Sequence, residues 1–257
     1  MTDRPTILLP IRLLEGESIP EGVPELLANA HVVVLGYHVV PDQTATNQAR
    51  MQFEERAQGR LDTLVTMLEE AGATVERRLV FTHEAQATID RTIYEHDCLA
   101  VLAPNAVGSP EEVLVAVRGT VGVDRLVRLV LGLFADTDTS ITLFHVLDED
   151  ESEADARTLF DGIVDRLVET GIDTDRLDIR VSDTSGSLNA IVDAASEFDV
   201  VVMGETDPSV VTYVFGMRAE QVAEQFLGPV LVIQRERPDE EGAEDNESGA
   251  SGSGSDE

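Results

Sequence analysis

Val113-Leu-Val-Ala-Val-Arg118 repeats, class by class, an earlier stretch, Ile7-Leu-Leu-Pro-Ile-Arg12, at an offset of 106 residues. Two further matches follow in the same order. Tyr37-His-Val-Val40 answers to Phe144-His-Val-Leu147, and Glu95-His-Asp97 with its Cys-Leu-Ala-Val sequel answers to Glu197-Phe-Asp199 with Val-Val-Val-Met. Single short matches arise by chance, whereas three in one order point to two copies of a unit, joined near Asn105 to Glu112.

Within each copy, apolar runs rich in β-branched residues alternate with segments of helical period. The second copy predicts strands near Val113 to Val117, Ser140 to Val146, Leu177 to Val181, Val200 to Met203 and Val230 to Gln234. Helices are predicted near Val123 to Ala135, Ser152 to Thr170, Ser187 to Ser196 and Arg218 to Leu227. Leu159, Ile163, Leu167 and Val168 form one apolar stripe with acids opposite, the pattern of a surface helix. The first copy predicts strands at Thr6 to Ile11, His31 to Val40, Val75 to Phe81 and Cys98 to Leu102, then passes almost directly to Val113. It has no room for a fourth helix and fifth strand. Near-continuous apolar strands between helices imply parallel sheets covered on both faces. The fold class is therefore α/β, with doubly wound parallel sheets in two Rossmann-like tandem units. Residues 1–105 form the truncated unit and 106–237 the complete one. Residues 238–257, acidic and Gly/Ser-rich without apolar periodicity, are expected to be a disordered tail.

The chain has 50 Asp and Glu against 18 basic residues, a formal net charge of −32. All 18 are Arg. With no Lys, a Walker-type phosphate lysine, a Schiff base and a lysine general base are all excluded. The charge opposes nucleic acid and anionic membrane surfaces as partners. At molar salt the screening length shrinks to roughly 3 Å, so self-repulsion fades, and an acidic, lysine-free composition reads as adaptation to a high-salt cytoplasm. A single cysteine, Cys98, allows no internal disulfide, which fits a reducing interior. The start carries no signal-peptide pattern, and the longest apolar runs, Val32 to Val40 and Leu129 to Ala135, fall short of the roughly 20 residues that span a bilayer.

The ordered pattern resembles the universal stress protein family in its tandem form. Val113-Leu-Val-Ala-Val-Arg-Gly-Thr120 parallels the family's opening strand and its Asp-Gly-Ser turn, and Leu143-Phe-His-Val146 its second strand. Phe198-Asp-Val-Val-Val-Met-Gly204 and Gly228-Pro-Val-Leu-Val-Ile233 parallel the fourth and closing strands. The resemblance implies five-stranded doubly wound sheets with a ligand cleft beyond the carboxyl ends of the strands. ATP-binding members hold phosphates with Gly-x-x-Gly, nine residues, then Gly-Ser or Gly-Thr at a helix N-terminus. Here the stretch is Gly204-Glu-Thr-Asp207, eight residues, then Gly216-Met217. An Asp207 carboxylate about 4 Å from a phosphate charge would repel it by roughly 4 kcal/mol at an effective dielectric of about 20. Met217 forfeits a hydrogen bond of about 1 kcal/mol. By resemblance the second half carries a degenerate nucleotide site at Arg118, Gly119, Thr120, Val146, Gly204, Asp207, Gly216 and Met217. Leu102-Ala-Pro-Asn-Ala in the first half has no glycine where Gly204 stands, so no phosphate is expected there.

The family's acidic residue after the first strand is Arg12 or Arg118 here. Each reads either as a surface arginine whose stem covers apolar area or as an anion ligand at the cleft mouth, beside Gly119-Thr-Val-Gly122. His38 and His145 occupy equivalent strand ends and read as structural, since neither has a second His or Cys at metal spacing. Cys98 reads as a small buried hydrophobe. No His-Glu-x-x-His, Gly-x-Ser-x-Gly or Gly-x-Gly-x-x-Gly occurs.

The expectation is a non-enzymatic stress-response or regulatory protein of the cytoplasm, acting through dimerisation and contacts with a regulated protein partner. No cofactor and no metal are expected, with ATP at most a weak ligand. An adenine-nucleotide-binding universal stress protein and a nucleotide hydrolase are the alternatives. Strand 230–234 has no sister in the first half, and an unpaired apolar edge invites pairing; a homodimer through that strand is expected.

Overall fold

A computed structural model describes residues 4–117, 122–147, 151–183, 187–204 and 228–234. The helix expected at 218–227 and the acidic tail lie outside these residues. Strands β1 (Thr6–Arg12), β2 (His31–Val39), β3 (Thr74–Thr82) and β4 (Ala100–Ala103) alternate with helices α1 (Val23–Leu26), α2 (Thr46–Ala71) and α3 (Ala85–Glu95). Then follow β5 (Glu112–Ala116), α4 (Val123–Phe134), β6 (Ser140–Val146), α5 (Glu153–Glu169), β7 (Leu177–Ser182), α6 (Ser187–Ala195), β8 (Val200–Gly204) and β9 (Val230–Ile233). The strands, and the described helices after β5, fall within two residues of the bounds read from periodicity, the usual uncertainty of element ends; no bounds are read for α1, α2 or α3.

All nine strands join one sheet, in the order β3-β2-β1-β4-β9-β8-β5-β6-β7. Every neighbouring pair is parallel except β4 and β9, which run antiparallel with Val101 opposite Val232 and Leu102 opposite Leu231. Strand β9 also pairs in parallel with β8. This corrects one expectation. Strand 230–234 is not a free edge awaiting a second chain, because β9 lies between β4 and β8 and pairs with both within the same molecule. The outer edges of the sheet are β3 and β7, and both carry charge: Arg77 pairs with Asp62 at 2.5 Å and Arg180 with Glu197 at 2.7 Å. Charged side chains on an edge strand discourage further pairing.

Strand alternation divides the core between two faces. Ile7, Leu9, Val113 and Val115 face α1, α2, α4 and α5, whose Leu26, Leu61, Val130 and Phe160 are buried against them. On the opposite face Leu8, Val33 and Val101 meet Ile89 of α3, and Leu114, Val201 and Val232 meet Ala190 and Ala195 of α6. Helix α5 begins on a reciprocal capping box: Ser152 accepts from the Asp155 amide, and the Asp155 carboxylate accepts from the Ser152 amide and hydroxyl. These bonds hold the Asp155 carboxyl below its ordinary range, the Ser152 hydroxyl contributing most. Helix α3 ends with Asp97 at φ +43°, while the amides of Asp97 and Cys98 donate to Tyr94 and Ile93 carbonyls, the paired bonds of a Schellman stop.

Candidate functional site

Strand β5 lies between β6 and β8. The crossover to β6 runs through α4 on one face, while α6 leads to β8 on the other. Where crossovers diverge to opposite faces, a crevice opens beyond the carboxyl ends of the strands. Val117, Gly122, Val146 and Gly204 stand around it. The buried Val117 donates its amide to the Phe144 carbonyl at 2.8 Å, and Gly204 ends β8 in register with Ile233. Gly122 takes φ +83° and starts α4, its carbonyl accepting from Leu126 at 2.9 Å. Arg118, Gly119, Thr120, Asp207, Gly216 and Met217 lie outside the described residues. Of the predicted site, the structure therefore places only Val146 and Gly204, both at the carboxyl edge of the second half.

Periodicity did not reveal the polar pair at the carboxyl end of β6. His145 is 2% exposed; its Nδ1 lies 2.7 Å from the Val117 carbonyl and its Nε2 lies 2.6 Å from the Glu151 carboxylate. A carbonyl can only accept, so Nδ1 carries a hydrogen. The contact to Glu151 then requires a second proton, on Nε2 or on the carboxyl. His145 thus serves as a structural tie between β5 and β6, as read from the sequence, with Glu151 as its partner. Nothing in the acidic run from Asp148 to Glu153 marks Glu151 out from its neighbours. His38, the matching residue of β2, instead sits edge-on to Phe53 and Phe81 at 5.9 Å from each, its Nδ1 buried without a partner.

In the matching region of the first half the chain's own groups crowd the strand end, beside a cavity of about 560 Å³ lined by Gly22, Val107 and Gly108. Arg12 ends β1, donates Nε to the Tyr37 hydroxyl at 3.0 Å and reaches Glu15 at 3.5 Å, while its amide donates to Glu17 at 2.6 Å. Its guanidinium lies 5.9 Å from the Tyr37 ring centre. The Tyr37 hydrogen bond raises the Arg12 pKa; burial raises that of Tyr37, outweighing the cation beside it. Carboxylates of its own loop thus occupy the surroundings of Arg12, which favours the structural reading of that arginine over the anion-binding one. Gly22, at φ +81°, starts α1 as Gly122 starts α4. The loop after β4 lies directly on Gly22: the Val107 amide donates to Glu21 at 3.0 Å, and a Cβ on Gly22 would overlap the Val107 carbonyl. Val107 joins Leu13 and Ile19 in the core.

Cys98 precedes β4 rather than opening it, and is buried. Burial pushes its thiol up to about 12, so it stays protonated and unreactive at neutral pH. Among the described residues, no three His, Cys, Asp or Glu side chains gather where they could hold a metal ion. Among the same residues, no helix is long and apolar enough to cross a membrane.

No family model matches the sequence, and no curated protein matches it significantly. Solved structures do match. A universal stress protein from Archaeoglobus fulgidus DSM 4304 aligns with a TM-score of 0.62 at 18% identity, covering 90% of this chain and 96% of its own. A putative universal stress protein from Pseudomonas aeruginosa covers 91% of this chain and 94% of its own, with a TM-score of 0.48 at 15% identity. The molecule is thus an α/β protein built around one mainly parallel sheet. Its fold is that of universal stress proteins.

Proposed function

We propose that this chain is a tandem universal stress protein that acts through protein contacts in stress response or regulation, without catalysis, in a salt-rich cytoplasm. Residues 1–105 and 106–237 are its two units. The observation that carries this reading is that Arg12 is held by Tyr37, Glu15 and Glu17 of its own half while the Val107 backbone lies on Gly22. A phosphate approaching Arg12 would meet the Glu15 and Glu17 carboxylates first. In the second half, the sequence departures at Asp207 and Met217 weaken what cradle remains.

Equilibrium dialysis with labelled ATP in molar KCl tests the proposal. No binding at millimolar ATP is expected; micromolar binding would overturn it in favour of an adenine-nucleotide-binding protein. That second reading draws support from Gly122, whose left-handed conformation starts a long helix at the mouth of the crevice, an arrangement suited to an anion.

A further inference from the structure

On the far side of the first half from Arg12 and Gly22, at the amino ends of β1, β2 and β4, lies a cavity of about 340 Å³. Its walls include Arg4, Arg125, Arg128, His31, His96 and Asp97. This lining opposes the rest of the molecule. Acids outnumber basic residues 50 to 18 across the chain, yet here three arginines face a single aspartate. Glu76, beside the cavity, is 3.2 Å from His96 Nδ1 and 4.0 Å from His31 Nε2, and even counted together with Asp97 it leaves the three arginines in excess.

Two of the arginines are anchored through only part of their donor set. Arg4 donates Nη1 to the Gly72 carbonyl and the Thr74 hydroxyl. Arg125 donates Nη2 to the Cys98 carbonyl, and its Nη1 is 3.8 Å from Asp97, too far for a hydrogen bond. The Arg125 side chain is only 11% exposed and its Nε is buried with no partner, a condition that costs free energy unless something accepts from it. Arg128 has no ion-pair or hydrogen-bond partner among the described residues and is exposed. Arg125, Arg128 and Gly132 fall on one stripe of α4, and the lack of a side chain at Gly132 lets Pro5 approach closely. That contact brings the two arginines to the amino ends of the first-half strands. The composition predicts no such gathering, because Arg4 lies at the start of the chain and the other two lie in the second half.

We propose that this cavity binds a small, multiply charged oxyanion, taken by the free guanidinium donors of Arg4, Arg125 and Arg128. Guanidinium forks match the planar spacing of phosphate and carboxylate oxygens, and a cavity of this size suits a small ligand. The site is separate from the nucleotide crevice and does not depend on the function proposed above.

Isothermal titration of the full chain with inorganic pyrophosphate and, separately, citrate tests it, at low salt and in molar KCl. The arm that binds assigns phosphate or carboxylate chemistry. Arg128→Gln, which touches no anchoring bond, is expected to weaken binding on the order of tenfold, and Arg125→Gln more. Arg56→Gln, about four helical turns from the Gly72 end of α2, is expected to change nothing. Ligand should also shift the ring resonances of His31 and His96 and leave those of His38 in place. If Arg125→Gln fails to fold, Arg128→Gln and the histidine resonances still decide. Neither anion binding at millimolar concentration, or binding that Arg128→Gln leaves intact, would overturn the proposal.

Discussion

Gly22 and Gly122 have nearly the same backbone conformation, each starts the helix after the first strand of its half, and they differ in what stands over them. A Cβ on Gly22 meets the Val107 carbonyl, whereas among the described residues a Cβ on Gly122 meets nothing within 4 Å. The conformational demand is common to both halves; the backbone contact on Gly22 has no counterpart among the described residues around Gly122. In the first half the chain after β4 has only residues 104–111 in which to reach β5, and that short loop falls across the crevice. The second half spends residues 205–229 between β8 and β9. The two connections thus differ in length, 8 residues against 25.

The largest expected effect tests this contrast directly. Gly22→Ala combines left-handed strain with a backbone overlap and is expected to cost about 3 kcal/mol or more. Gly122→Ala carries the strain alone, about 1 kcal/mol. Equal losses in chemical denaturation would break the comparison. Next comes the strand that both halves share. Val232 is fully buried in β9, and Val232→Ala is expected to cost about 2 kcal/mol. Hydrogen exchange should quicken in β4 as well as β8; an effect confined to β8 would mean the antiparallel seam contributes little.

Arg12→Gln probes the cluster at the end of β1. Losing the charged bond to Tyr37 is expected to cost about 1.5 kcal/mol. It should also move the Tyr37 phenol further up, because the cation that opposes the burial effect is gone; ultraviolet pH titration reads this. Cys98 gives a pH test. Its folded pKa, near 12, lies above the unfolded value, so the fold favours the protonated thiol. Its contribution to stability is full below the unfolded pKa and falls by about 1.4 kcal/mol per pH unit as pH rises from there towards the folded value. Denaturation of wild type and Cys98→Ala across the alkaline range should differ in slope by that amount. Smallest is Ser152→Ala, expected to cost on the order of 1 kcal/mol through loss of the α5 cap, with no counterpart among the caps of the first half, where no side chain bonds the N-cap of α2.

Much of this was legible beforehand. The strand at Ser140–Val146 and the helix at Val123 were placed within a residue of their observed bounds, because a buried strand and a two-faced helix each impose a period on the chain. The role of strand 230–234 was misread for a definite reason. Its apolar character shows that both edges need partners, but periodicity says nothing about which strand supplies the second one. Asp97 and Asp199 teach the same lesson. They match in the repeat, yet Asp199 accepts from the Glu111 and Glu112 amides at 2.9 Å each, whereas Asp97 turns left-handed to end α3 and is 90% exposed. Of the candidate site, only Val146 and Gly204 could be placed, and the His145–Glu151 pair was invisible because any of several neighbouring acids could have supplied the carboxylate.

By itself, the sequence determined the elements, their alternation, the buried strand faces and the excess of negative charge, all of which follow from local period and composition. Tertiary structure alone decided that β9 closes the gap beside β4, that a short loop covers Gly22, and that three arginines far apart in the chain share one cavity. These outcomes depend on which distant segments meet once the sheet is assembled, and no local pattern carries that information.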